Sequence, residues 1–224
     1  MTPSSRQDSS RQEFSRQQER SRGTRQRLLT ATVECLVEHG WAGTTTTLVA
    51  EHAGVSRGAQ LHHFPTRADL VAAAVHHLAH CRGEEIRAEA ATLPRDQPGD
   101  PAAVARRVSR TVDLLAGMFT GPLYAAALEV WVAARTDPGL REALLPVEAQ
   151  LGQQMHRLTL ELLGADESMP GVRESVQATL DLMRGLGVAN LLTNDAARRT
   201  RLLRVWKRQL TAVLAASPVG VAGG

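Results

Sequence analysis

Four side chains able to bind a metal or carry a proton fall within six residues of this sequence: His76, His77, His80 and Cys81. In a helix His76 and His80 stand one turn apart on one face, a spacing at which two imidazoles can share an ion. A metal site needs more ligands, and toward the C-terminus no carboxylate stands at helical spacing before Glu84. A solvated or interdomain face is the simpler account, so neither a metal nor another cofactor is expected. A helical metal-dependent enzyme using these histidines is the alternative. Cys35 and Cys81 are the only cysteines and form no Cys-x-x-Cys pair, too few for a disulfide framework or a self-contained zinc site. Both read as reduced thiols in or near the core.

Two other charged features stand out. Glu129 lies in the apolar run Leu123 to Ala134, where an unpaired buried carboxylate is costly. It is expected to pair with an arginine such as Arg184 or to hydrogen-bond a ligand. The segment Met1 to Arg27 carries Arg6, Arg11, Arg16, Arg20, Arg22, Arg25 and Arg27 against Asp8, Glu13 and Glu19, a surplus of four positive charges in a chain of net +3. Such an arm attracts polyanions by counterion release, and it also fits a merely solubilising tail. Residues 1–23 are rich in Ser, Gln and Arg with Phe14 as their only aromatic residue, so they read as disordered.

The elements that must position these groups are helices. From Thr24 onward apolar residues recur at three- and four-residue steps, and no strand pattern appears. The fold class is therefore all-α. A first helix runs from Thr24, with Leu29, Val33, Leu36 and Val37 on one face, to a glycine stop at His39-Gly40. Short helices follow over 46–53 and, capped by Ser56, to His63, with a tight turn at Gly54-Val55. Phe64-Pro65 breaks the chain, and Thr66-x-x-Asp69 is a capping box for a helix from Arg67 to about Ala91. The loop Leu93 to Asp100 ends in Asp100-Pro101, an N-cap and first-turn proline, and Asp137-Pro138 repeats the device. Further helices are expected over 101–119, 122–136, 138–163, 172–192 and 196–216, with a disordered tail over 217–224.

Two short helices around a glycine turn with a third helix behind form the unit that places its second helix in the DNA major groove. The residues sharpen this: Gly40-Trp41-Ala42-Gly43-Thr44-Thr45-Thr46, then Val49 to Ala59 with Gly54-Val55-Ser56-Arg57-Gly58-Ala59, then His63-Phe64-Pro65-Thr66-Arg67-Ala68-Asp69-Leu70. Over about Thr24 to Val75 the chain resembles the tetracycline-repressor (TetR) family. The resemblance implies a helix-turn-helix domain over 24–70, a ligand-binding and dimerisation domain over 71–216, and no enzyme activity.

By that resemblance Thr45, Thr46 and Thr47 would meet the DNA backbone, with Thr47 near bases; Ser56, Gly58, Ala59 and Leu61 belong to the same surface. Arg57 would read guanine through its O6 and N7, with a phosphate contact as the alternative. His62 is a base or sugar contact, while His63 and Arg67 match phosphate-clamping positions. The chain departs from the family at Gln60-Leu61, where Leu-Tyr is common. Gln60 replaces an inward apolar residue and is expected to be partly buried or to tilt the recognition helix.

Candidate ligand-lining residues are Met118, Phe119, Tyr124, Leu128, Glu129, Trp131, Met155, Leu158 and Met183, with plain core packing as the alternative. The steps Leu203, Trp206, Leu210, Val213 and Val176, Leu180, Met183, Gly187 suit helix packing, either inside the chain or, as the resemblance implies, across a dimer. The expected partners are a double-stranded pseudo-palindromic operator, a second copy of the chain and a small, largely apolar effector that releases the operator. A constitutive DNA binder or an activator would use the same fold. No run of about 18 apolar residues suggests a membrane span, and residues 1–27 lack the apolar core of a secretion signal, so a cytoplasmic location is expected.

Overall fold

The computed structural model describes residues 3–92, 100 and 102–216, with side chains from Ser15 onward. Regular structure among them is all helical: α1 (Pro3–Gly43), α2 (Thr46–His52), α3 (Arg57–His63), α4 (Arg67–Ala91), α5 (Ala103–Met118), α6 (Pro122–Ala134), α7 (Pro138–Leu163), α8 (Val172–Ala189) and α9 (Ala196–Ala216). The interior of the 93–100 loop, Pro101 and the 217–224 tail lie outside the described residues.

The largest difference from expectation is at the start. Residues 3–23 belong to α1 rather than to a disordered arm, and Ser15 to Gly23 are exposed, so those nine residues form a helix that buries no side chain. The physical reason is cooperativity: a helix already docked at Leu28 and Leu29 is extended without a nucleation cost. Arg, Gln and Glu propagate it well, and no proline interrupts residues 4–39. At the other end the glycine stop is as expected. Gly40 takes φ 64°, which favours glycine, and breaks the helix ahead of a short turn at Trp41.

The described chain divides into two compact units, Met1–His77 with Glu129–Val147, and Leu78–Leu128 with Glu148–Gly224. The first therefore extends past Leu70 and recruits a later segment, unlike the 24–70 domain expected. Its core joins Leu28, Leu29, Ala31 and Cys35 of α1, Val49 and Ala53, Phe64, and Leu70 and Ala74 of α4. Val37, expected inward, is exposed, because the buried stripe of α1 runs through Leu28, Thr32, Cys35 and Leu36 instead. Burial pushes the Cys35 thiol pKa up, as does the charge of Glu38 and Glu34. The capping box forms as expected: Thr66 Oγ1 accepts from the Asp69 N–H at 3.0 Å, and Asp69 Oδ2 accepts from the Thr66 N–H at 3.3 Å.

In the second unit α5, α8 and α9 pack on one another. Val108, Val112 and Leu115 of α5, Val176, Leu180 and Met183 of α8, and Leu203 and Leu210 of α9 are buried. Asp100 holds the entry to α5 by accepting from the Ala102 N–H at 2.8 Å. The Lys207 ammonium bonds Ser109 at 3.0 Å and the Asp113 carboxylate at 2.6 Å. Trp206 Nε1–H donates to Thr179 Oγ1 at 3.0 Å.

This packing corrects the expected dimer face. Val176, Leu180, Leu203 and Leu210 are buried within the chain, and Trp206 and Val213 are half-buried. Gly187 is enclosed as well: a Cβ there would meet the Phe119 carbonyl oxygen and lie 2.5 Å from Tyr124 Cε1. The exposed apolar residues are others, Val188, Leu191 and Leu192 at the end of α8 and Leu202 and Val205 in α9. Because α8 ends at Ala189, Leu192 sits in the connection to α9 and is 95% exposed.

Gly187→Ala is expected to cost about 1–3 kcal/mol by overpacking. Urea unfolding checks this, and a variant as stable as the parent would show that the Phe119–Tyr124 contact yields freely.

Candidate nucleic-acid interface

Two hydroxyls begin the two short helices. Thr45 Oγ1 accepts from the Leu48 N–H at 3.1 Å and Ser56 Oγ accepts from the Ala59 N–H at 3.2 Å, so α2 and α3 are both side-chain capped. Between them Gly54, at φ 62°, turns the chain, and the Val55 N–H reaches the Ala50 carbonyl at 3.0 Å.

The α3 helix divides sharply. Arg57, Gly58, Leu61 and His62 are exposed, Leu61 at 45%, whereas Gln60 is fully buried. Gln60 Nε2–H donates to the Phe64 carbonyl at 2.8 Å, and its Oε1 has no partner among the described residues. The sequence expectation of partial burial is thus corrected: the amide takes the inward apolar position outright. Its bond to Phe64 satisfies one end of the amide, and the other end remains an unmet acceptor. Thr45 and Thr47 are exposed, Thr46 half-buried and Ala59 half-buried.

His63 and Arg67 fare differently from one another. His63 is half-buried, and its pKa is lowered by burial, then by His62 and by Arg25. The Arg25 guanidinium lies 5.3 Å from the centre of the Phe64 ring, beside this corner. Arg67 turns inward. Its guanidinium stacks 3.7 Å from the centre of the Trp41 ring and donates to the Trp41 carbonyl. Burial weighs against its charge, with Asp137 acting the other way, and its Nε is buried with no partner among the described residues. In this arrangement Arg67 holds the turn after α1.

Glu129 joins the same turn from α6. Its Oε1 accepts from the Trp41 N–H at 2.8 Å. A Cβ at Gly40 would lie 2.7 Å from both carboxylate oxygens, so glycine is needed there for space as well as for φ. Glu129 is exposed and is not paired with Arg184, which binds Asp181 at 2.8 Å. Both expected roles for Glu129 give way to this one. The signal for it was absent from the sequence, since 88 residues separate donor and acceptor.

The proposed ligand residues divide between the two units. Glu129 and Trp131 belong to the first unit and the rest to the second. In the second unit Phe119 and Tyr124 pack edge to face at 5.4 Å, the Tyr124 hydroxyl donating to the Arg184 carbonyl at 3.0 Å. Met183 is buried and Met118 and Leu128 half-buried. Met155 and Leu158 line a cavity of about 120 Å³ with His80, Glu84, Arg87 and Gln154. A wider open cleft of about 650 Å³ is lined by the charged or titratable residues His156, Arg157, Glu167, Arg173, Asp181 and Arg184 together with others including Leu180, and no local spacing marks it in the sequence. The histidine run is dispersed: His77 Nε2 bonds the Gln26 amide at 2.7 Å, and no group of three described ligand-type residues could hold a metal ion.

A capped pair of short helices around a left-handed glycine, with the outer face of the second presenting Arg57, Leu61 and His62, defines a helix-turn-helix transcription regulator. The chain belongs to the tetR family of bacterial regulatory proteins, whose family model matches residues 28–74. It is 36% identical over 153 residues to the uncharacterized HTH-type transcriptional regulator Rv2912c of Mycobacterium tuberculosis (strain ATCC 25618 / H37Rv), covering 68% of this chain and 74% of that one. It is 31% identical to the HTH-type transcriptional regulator CymR of Pseudomonas putida, covering 82% and 87%. The multidrug binding protein EbrR, crystallised with ethidium, shares the fold at a TM-score of 0.58 and 21% identity, covering 85% of this chain and 97% of that one. Members of the family are DNA-binding regulators and not enzymes, which disposes of the metal-dependent enzyme. No single described helix is long and apolar enough to cross a membrane.

The lowered His63 pKa sets a sign. The fold favours neutral imidazole, so His63 contributes stability above its ordinary value of 6.5 that is lost as pH falls through the lower folded value. Nuclear magnetic resonance titration is expected to place His63 below 6.5, with Arg25→Gln moving it up. No movement in that variant would show that Arg25 does not act on the imidazole.

Proposed function

We propose that the chain is a homodimeric, cytoplasmic, ligand-released repressor whose two α3 helices enter successive major grooves of a pseudo-palindromic operator. The observation that carries this reading is the outer face of α3, where Arg57, Leu61 and His62 stand exposed around the small residues Gly58 and Ala59. Arg57 suits a bidentate bond to guanine and Leu61 an apolar contact with a thymine methyl. Thr45, Thr46, Thr47 and Ser56 offer hydroxyls at helix starts, where N–H groups also favour phosphate. His63 supplies a phosphate contact, and Arg67 acts on this surface by holding the Trp41 turn.

The dimer contact is assigned to Val188, Leu191, Leu192, Leu202 and Val205, which are the exposed apolar residues of the last two helices and their connection. The effector is assigned to the second unit, around Met118, Phe119, Tyr124, Leu128, Met155, Leu158 and Met183. The cavity at Met155 and Leu158, at about 120 Å³, is smaller than the roughly 300 Å³ of ordinary ligand sites. Binding there therefore requires lining side chains such as Met155 and Leu158 to repack, which gives the effector two states to distinguish. An operator complex left unchanged by every compound that binds this unit would exclude release by ligand and leave the constitutive binder.

Selection of duplexes from a random pool tests the recognition face. Arg57→Ala is expected to cost about 1–3 kcal/mol and to relax preference at one base position per half-site. Equal weakening on all sequences would make Arg57 a phosphate contact. The double substitution Leu192→Asp with Val205→Asp is expected to give monomers in sedimentation and to abolish operator binding, whereas an intact dimer would move the interface elsewhere.

A further inference from the structure

The helical N-terminal stretch of α1 carries a pattern that the recognition helix does not explain. Stepping back from Arg25 by three and four residues gives Arg22, Gln18 and Ser15, all exposed, so one face of the helix consists of hydrogen-bond donors. The same steps continue along the helix through Arg11, Gln7 and Ser4. Glu19, three residues before Arg22 and four after Ser15, borders this face, and toward α3 no acid follows it before Glu34. Arg16, Arg20 and Arg27 lie on a different face, and Glu13 shares it.

The stripe is fixed in place. Three residues beyond Arg25, α1 enters the core of the first unit at Leu28 and Leu29, the same core that holds Phe64 at the end of α3. The stripe thus terminates against the recognition helix, with Arg25 over the Phe64 ring and its charge felt by His63. Neither Arg22 nor Arg25 forms an ion pair among the described residues. Arg22 and Arg25, exposed one turn apart with no carboxylate between them, are suited to neighbouring anions, and duplex DNA presents one charge per about 1.7 Å of axis.

We infer that the exposed extension of α1 is a second DNA-contacting surface, laying its Ser15–Gln18–Arg22–Arg25 face along the phosphate backbone that flanks each half-site. This rests on the operator-binding reading of α3. From Ser4 to Arg25 the helix spans roughly 32 Å at about 1.5 Å per residue, enough to follow the backbone for most of a helical turn. The contact adds affinity and lengthens the footprint without adding base specificity, because phosphates carry no sequence.

The test compares two double variants of the full chain on a duplex recovered by selection, carrying one helical turn of flank, about ten base pairs, on each side. The dependence of binding on salt is the readout. Arg22→Gln with Arg25→Gln is expected to lower the slope of log affinity against log salt by about 1 per arginine in each protomer. Arg16→Gln with Arg20→Gln removes the same charge from the other face and is expected to leave most of the slope. Trimming the flanks should erase the difference between the two variants. Equal losses in both variants would mean a diffuse positive field, and no loss in the first a solvated face; either overturns the proposal. Failure of the unaltered chain to bind any selected duplex would instead overturn the reading of α3.

Discussion

The turn at Gly40 and Trp41 is the constraint on which the first unit depends. Here α1 must stop, reverse and deliver the chain to α2, and the backbone does so at a φ that only glycine adopts readily. Breaking a helix exposes main-chain groups that need partners. The Gly40 carbonyl takes the Thr44 N–H at 3.2 Å and the Thr44 hydroxyl at 2.7 Å. The Trp41 N–H goes to Glu129 and the Trp41 carbonyl to Arg67. Residues from α1, α4 and α6 therefore meet around one peptide unit. Every group that α2 and α3 present outward is positioned from this point, so Glu129 and Arg67 act on the recognition surface without lying on it.

The recognition helix itself is held by a compromise. With only seven residues, α3 is too short to be stable alone and depends on its cap and its inner face. At Gln60 that face is a fully buried amide, one end bonded to Phe64 and the other unmatched. Against a leucine at the same place this lowers stability. It also ties the end of α3 to the chain reversal at Phe64 by a directional bond, which an aliphatic side chain could not supply.

Much of this was legible in the sequence because caps are local. Ser56, Thr66 with Asp69, Asp137, Gly40 and Gly54 announce helix ends through turns or bonds to residues a few positions away, and each stands where expected, whereas Asp100, expected to cap a helix from 101, bonds Ala102 and α5 begins at Ala103. The outward set on α3 came instead from the family resemblance. What escaped was set by distant partners. Glu129 bonds a residue 88 positions earlier, Arg67 one 26 positions earlier, and neither distance leaves a mark in local spacing. The 3–23 stretch was misjudged for a different reason: composition reports that it cannot build a core, and says nothing of whether a neighbouring core can extend a helix through it.

The last two helices show where periodicity itself runs out. An apolar stripe at three- and four-residue steps says that a helix face is covered, but the covering element can belong to the same chain or to another. In α9 the steps Leu203 and Leu210 are covered from within. Leu202 and Val205, three residues apart, form a second and weaker stripe that the chain leaves open, at 37% and 43% exposure. A helix that needs both an internal and an external partner must carry two such stripes. The stronger is consumed by folding, since Leu203 and Leu210 are buried within the chain, where α9 packs on α5 and α8. The weaker stripe is therefore the one to read for association, and in α8 and its connection the exposed apolar residues are Val188, Leu191 and Leu192, apart from the buried Val176, Leu180 and Met183.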